Sequence, residues 1–287
     1  ISQGIELVII DNGSTDASYE ICKDYVGSGV LGLEGLSTQR YEPQLIRQRL
    51  HIMALRHAPD WEVLFGADEF MESPYRGLTL SEAIQLEAQK GYNLIQFNNF
   101  EFWPTEKDCD TLEEDVRKRL KYYSWNDDMQ FRAWKVYQEM SFIEIDGHFP
   151  TFPEEATVKV SPNKFVLRHY RFRSCEHGLR KVFRERLPRY SPKEREQGRS
   201  HQYDKFGIDK TCFVIDSNKL TRYEEDGNWN LTRTFGDPLG AWNPVSSYER
   251  ISQLEMEVAL LRGKLRQRED ELRRKIGTQR KKWWYRF

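Results

Sequence analysis

Four apolar runs, rich in β-branched and aromatic residues, punctuate the first hundred positions: IELVII at 5–10, VLGLEGL at 30–36, WEVLF at 61–65 and YNLIQFNNF at 92–100. Helix-forming stretches separate them. Ser14 or Thr15 can cap a helix running to about Tyr25. Pro43 can open another through about His57, with Ile46, Leu50, Met53, Ala54 and His57 on one face, and a third begins at Ser81. Strands that alternate with helices predict an α/β fold with right-handed crossovers and a parallel sheet. The first run is apolar throughout instead of alternating, which predicts a strand buried on both faces.

Beyond Trp103 the pattern changes. Residues 104–128 read as mixed loop and helix. Short strands are expected at QFRAWKV, SFIEI, ATVKV and KFVLRHY, the last two joined by SPN as a hairpin. Ser174 starts a basic amphipathic helix, SCEHGLRKVFRERL, closed by Pro188, and residues 189–245 read as irregular. In the tail, Ile251, Leu254, Val258, Leu261, Leu265 and Leu272 form a heptad stripe interrupted by Arg268. Twelve Lys/Arg face six Asp/Glu within 246–287, whereas the whole chain carries 44 against 45. Two parts are therefore expected: a domain over 1–245 and a coiled-coil helix over 246–287, with self-association or a partner helix through 246–276.

A net charge of −1 gives no field of the kind that marks a nucleic-acid binder. Cys22, Cys109, Cys175 and Cys212 are far apart, which suits a reducing, cytoplasmic setting more than a disulfide scaffold. No stretch approaches 18 apolar residues, so no transmembrane helix is expected. The closing RKKWWYRF combines basic residues with aromatic ones, a pattern that suits peripheral contact with a membrane, packing on a partner or a frayed end.

The chemistry concentrates at strand ends. IIDNGSTD stops in Asp11 and Asn12, whose carboxylate and amide suit hydrogen bonds to a nucleobase or ribose, or a turn and helix cap. LFGADEF stops in Asp68 and Glu69; Asp68 offers a hard oxygen for Mg²⁺ or Mn²⁺, or a cap for the next helix. His169 ends KFVLRHY and can join the Asp68 site as a neutral imidazole or serve as a core histidine. Arg168, Arg171, Arg173 and Lys181 can hold diphosphate oxygens, or form a solvated basic face.

IIDNGSTDAS, FGADEF and LRHYRFRSCEHGLRKV, in this order, resemble glycosyltransferase family 2 across about residues 5–205. The resemblance implies a GT-A-like (Rossmann-like) fold with a mostly parallel sheet and flanking helices. It also implies transfer of a sugar, with inversion, from a nucleotide-diphosphate donor to a glycan, lipid or protein acceptor, with a divalent cation (Mg²⁺ or Mn²⁺). Carried onto this chain, Asp11 or Asn12 contacts the donor base, while Asp68, at the second acid of a D-x-D motif, touches the metal with His169. DGHFPTFPEEA at 146–156 is similar to the family's acceptor-positioning element. Glu155 or Glu154 would then be the base that takes the acceptor proton, with Asp146 or Asp128 as substitutes. The chain departs from the pattern at Gly66, the first D-x-D position, and at Asn12, where Asp is usual. It also lacks the strand that precedes IELVII in the family, so the natural N-terminus is expected upstream of Ile1.

A different class stays open beside this one: a non-catalytic scaffold that binds nucleotide sugars or glycans and assembles through its coiled coil. Metal-dependent nucleotidyl transfer ranks lowest, because no G-x-x-x-x-G-K phosphate loop is present.

Overall fold

The computed structural model describes residues 1–36, 42–108, 115–142, 150–190, 203, 206, 213–224 and 228–231, with the backbone alone at 127–129. The chain divides into two units, Ile1–Trp242 and Asn243–Phe287. The coiled-coil expectation for 246–287, and the one for Asp146, lie outside the described residues.

A parallel pair, β1 (Leu7–Asp11) and β2 (Val30–Gly35), stands as its own two-stranded sheet, with α1 (Ser18–Asp24) in its crossover. The expected burial of β1 on both faces is absent: all five of its residues are half-buried. After α2 (Pro43–Leu55), opened by Pro43 in its first turn, comes the main sheet. Its strands are β3 (Trp61–Val63), β4 (Glu69–Glu72), β5 (Leu94–Phe102), β6 (Tyr122–Lys135), β7 (Phe165–His169) and β8 (Thr221–Arg222). The order is β3-β6-β5-β7-β4, and β8 pairs with the start of β6.

This topology overturns the expected GT-A-like, mostly parallel sheet. Only β5–β7 is parallel within the main sheet; β3–β6, β4–β7, β5–β6 and β6–β8 are antiparallel. Two causes are visible. The 14-residue β6 inserts between β3 and β5, which therefore run in the same direction without touching. The short link Leu64–Asp68 carries the chain from β3 at one edge to β4 at the other, where β4 returns against β7. The expected 156–169 hairpin does not form either; Val160 makes an isolated parallel bridge to Leu94.

Side chains alternate between the two faces of the sheet. On one face Met71, Ile95, Phe97, Phe165 and Leu167 pack with Leu80, Ala83 and Ile84 of α3 (Leu80–Gln89). Thr79 and Glu82 close a capping box at the start of that helix. Its first amides, Leu80 N and Ser81 N, donate to Gln3 Oε1 and Gln3 O at 3.1 Å each, which ties the N-terminal segment down. The other face is aromatic: Phe100, Phe102, Tyr123 and Tyr170 pack with Phe70 and Trp229. After α4 (Val116–Arg119), a third cluster forms around Phe172, Val182 and Phe213 where α5 (Cys175–Leu179) passes into a π-helical stretch, Arg180–Arg186. Ser174 caps α5 by accepting from His177 N at 3.1 Å. At Gly178 a side chain would collide with the Phe213 ring.

Among the described residues no helix is long and apolar enough to cross a membrane. Among the described residues Cys22 and Cys175 are not part of a disulfide.

Candidate functional site

Strands β3, β5 and β7 run in one direction, and β4 starts where β5 and β7 end. The register aligns Glu69, His169 and Glu101 across that end: Glu69 faces His169, and His169 faces Glu101. All three lie on the face that, further back, holds the Leu167–Phe97 core. Asp68 immediately precedes β4, and its carbonyl accepts from Tyr170 N at 2.8 Å, which extends the β4–β7 ladder by one rung.

His169 spans two acids. Its Nε2 lies 3.6 Å from Asp68 Oδ2 and its Nδ1 3.8 Å from Glu101 Oε1. Asp68 is tied to the third motif a second time, because Lys181 Nζ donates to Oδ2 at 2.6 Å and to the carbonyl of Arg171 at 2.9 Å. Glu101 is buried, pairs with Arg171 Nε at 2.8 Å and accepts from Asn126 Nδ2 at 3.2 Å. Burial works to raise the Asp68 pKa, but His169 and Lys181 override it and hold the carboxyl well below the usual range. A group held so low is ionised at neutral pH and is a weak base, suited to fixing charge and not to taking protons. Burial lowers the Lys181 pKa, and the Asp68 carboxylate opposes it. His177 is driven down to about 3, first by burial and then by Arg173, Lys181 and Arg180. It is neutral, and its Nδ1 accepts from Arg173 N at 3.2 Å.

Beneath the link lies a buried support. Glu69 Oε2 accepts from Gly66 N at 2.6 Å, and Glu69 Oε1 from Arg132 Nη2 at 2.7 Å, although β5 and β7 stand between their strands. Gln130 holds the same guanidinium through Nε at 2.8 Å. A Cβ at Gly66 would sit 2.9 Å from Asp68 Oδ1, so glycine lets the link pass this close to the carboxylate.

The remaining expected residues fall elsewhere. Arg168 lies on the opposite face from His169, because neighbours in a strand alternate; it pairs with Glu72 and stacks 5.6 Å from the Tyr223 ring. Asp11 is half-buried and closes its own loop by accepting from Ser14 N at 3.0 Å. Asn12, also half-buried, has a partner of its own. Asp16 in the same loop accepts from Ser18 N at 3.0 Å, and hydrogen bonding by Ser18 holds its carboxyl low. Glu154 and Glu155 are exposed in a turn closed by Ala156 N donating to Pro153 O at 3.0 Å. Of Asp128 only the backbone, within β6, is described.

Sequence reasoning missed Glu101 and the Glu69–Arg132 support. The signal for Glu101 was present: an acid inside the aromatic run NNFEFW, at the parity of the buried positions.

As a seat for Mg²⁺ or Mn²⁺ the donor set fits poorly. Asp68 and His169 supply two donors, but an ammonium already stands on Oδ2. Among the described residues no group of three or more His, Cys, Asp or Glu is arranged to hold an ion. No family model matches the chain, and a search of curated proteins returns no match.

Proposed function

We propose that the protein is a glycosyltransferase that moves a sugar from a nucleotide-diphosphate donor to a glycan, lipid or protein acceptor in the cytoplasm. One observation carries the reading. Asp68 of FGADEF meets both His169 and Lys181 of LRHYRFRSCEHGLRKV, at 3.6 and 2.6 Å. Two of the three segments that carry the resemblance thus meet beside the end of β7, although the sheet behind them is not the expected one.

In this reading the acceptor oxygen attacks the anomeric carbon, and the bond from that carbon to the diphosphate oxygen breaks with inversion. The electron pair leaves with the nucleoside diphosphate, and the acceptor proton passes to Glu155 or Glu154 in the exposed turn. Asp68 is held too low to take it and fixes the cationic groups around it. The Arg171–Glu101 pair orients His169 from behind. The tail over 246–276 serves self-association, and its basic aromatic end serves contact with a membrane surface.

Gly66 favours a second reading, a binding scaffold without turnover, because a single acid occupies the D-x-D positions. Incubation with a panel of nucleotide sugars separates the two. A transferase releases nucleoside diphosphate, by transfer or by slow leakage to water; a scaffold binds and releases none.

A further inference from the structure

We infer that Lys181 is the resident cation of the Asp68 site, and that its ammonium meets the charge of the leaving diphosphate with no divalent ion bound there. The substrate class rests on the transferase reading; the geometry does not.

The ammonium has three N–H donors. Asp68 Oδ2 takes one at 2.6 Å and Arg171 O another at 2.9 Å, which leaves the third without a hydrogen-bond partner among the described residues. The side chain as a whole is 14% exposed, largely withdrawn from water but not sealed off from it. Desolvating an ammonium is costly unless it is paired, and the single partner carboxylate is itself shared with His169.

The surroundings favour an anion over a metal ion. Arg171 and Arg186 press on Lys181, and Arg173, Arg180 and Lys181 press on His177. Against these cations stand Asp68, Glu101 and Glu185, each already in an ion pair, with Lys181, Arg171 and Arg180 respectively. A divalent cation entering beside Oδ2 would have to displace the ammonium within a field of like charge. A diphosphate entering the same place gains charge-assisted hydrogen bonds. Lys181 also sits in the π-helical stretch Arg180–Arg186, a conformation that recurs at functional sites. As the bond to the anomeric carbon breaks, the electron pair stays on the diphosphate oxygen, and the third Lys181 N–H is the donor for it.

Calorimetry on the full chain tests the inference without relying on turnover. The titrants are MnCl₂ alone, then UDP, GDP, CDP, ADP and dTDP, each with EDTA and with Mn²⁺. We expect no Mn²⁺ site at millimolar concentration, and binding of at least one nucleoside diphosphate in EDTA that falls about tenfold or more in Lys181→Gln. Three results overturn the inference and leave the transferase reading standing: Mn²⁺ binding that disappears in Asp68→Asn, nucleotide binding that requires Mn²⁺, or unchanged nucleotide binding in a folded Lys181→Gln. If Lys181→Gln does not fold, the wild-type titrations with Mn²⁺ and EDTA decide alone. Failure of every nucleoside diphosphate to bind, with or without Mn²⁺, overturns the transferase reading and the inference with it.

Discussion

Lys181 Nζ and Asp68 Oδ2 lie 2.6 Å apart although 113 residues separate them in the chain. Neither local strand-end chemistry nor a helix cap accounts for that contact. It exists only when β4, β7 and the helical stretch after α5 have come together.

Asp68→Asn should therefore destabilise the fold, because it leaves a mostly buried ammonium without its carboxylate. With Asp68 33% exposed, solvent screening keeps the loss to about 1–3 kcal/mol at pH 7. The folded-state pKa of Asp68 lies below its ordinary value of 3.8, so the stability it contributes is present above that pH and is lost as pH falls below it. Urea denaturation of both proteins should show a gap at neutral pH that closes as the pH falls below that value. A gap that widens in acid would contradict the pairing.

Glu87 gives a second pH-dependent expectation, away from the site. It is fully buried on α3 and holds Tyr75 Oη at 2.5 Å, Lys90 Nζ at 2.6 Å and Ser161 Oγ at 2.6 Å. Burial works to raise its pKa, but Lys90, Ser161, Tyr75 and Asn163 bring it down to about 2 from an ordinary 4.5. Its contribution is thus present above pH 4.5 and fades between there and about 2. Glu87→Gln should cost about 1.5–3 kcal/mol at pH 7, the range for hydrogen bonds to a buried charge. The loss should shrink across that acid window, as read by thermal melting at several pH values.

The Glu69–Arg132 pair supports the link from beneath, with side chains 6% and 7% exposed. Removing one partner leaves a buried charge, so Glu69→Gln should cost about 3–5 kcal/mol. Glu69→Gln combined with Arg132→Met should recover a large part of it. A double-mutant cycle by chemical denaturation checks this, and additive losses would mean that the two groups do not depend on each other.

Gly66→Asp restores the first acid of the D-x-D pattern but places a Cβ 2.9 Å from Asp68 Oδ1, with a like charge beyond it. The expected outcome is a loss of about 1–3 kcal/mol in stability and no tightening of donor binding. Unchanged melting together with tighter nucleotide binding would show that the site opens to accept the second carboxylate.

How much of this was legible in the sequence differs between elements and topology. The start of α2 at Pro43, the course of β2 and most of β5 follow from period, proline and turn signals close in sequence. Strand adjacency does not, because it is decided by distant residues. β6 hides its length behind the polar Asn126, Asp127 and Asp128, and β4 is only four residues long. Without them, strands running in one direction read as parallel neighbours. Within the site, Asp68 and His169 were legible through the quoted motifs. The separation of Arg168 from His169 was legible too, from the two-residue period of a strand. Glu101 and Arg132 needed the register of three strands to show what they face.

The most direct measurement is release of nucleoside diphosphate from a panel of nucleotide sugars by the full chain, wild type beside Asp68→Asn. If Asp68 fixes the groups that meet the leaving charge, at least one donor is turned over, and the variant is slower by about 10²–10³. Folding of the variant is checked in the same samples, so that lost turnover is not lost structure. Release from no donor by the wild type, or equal release by a folded Asp68→Asn, would contradict the account.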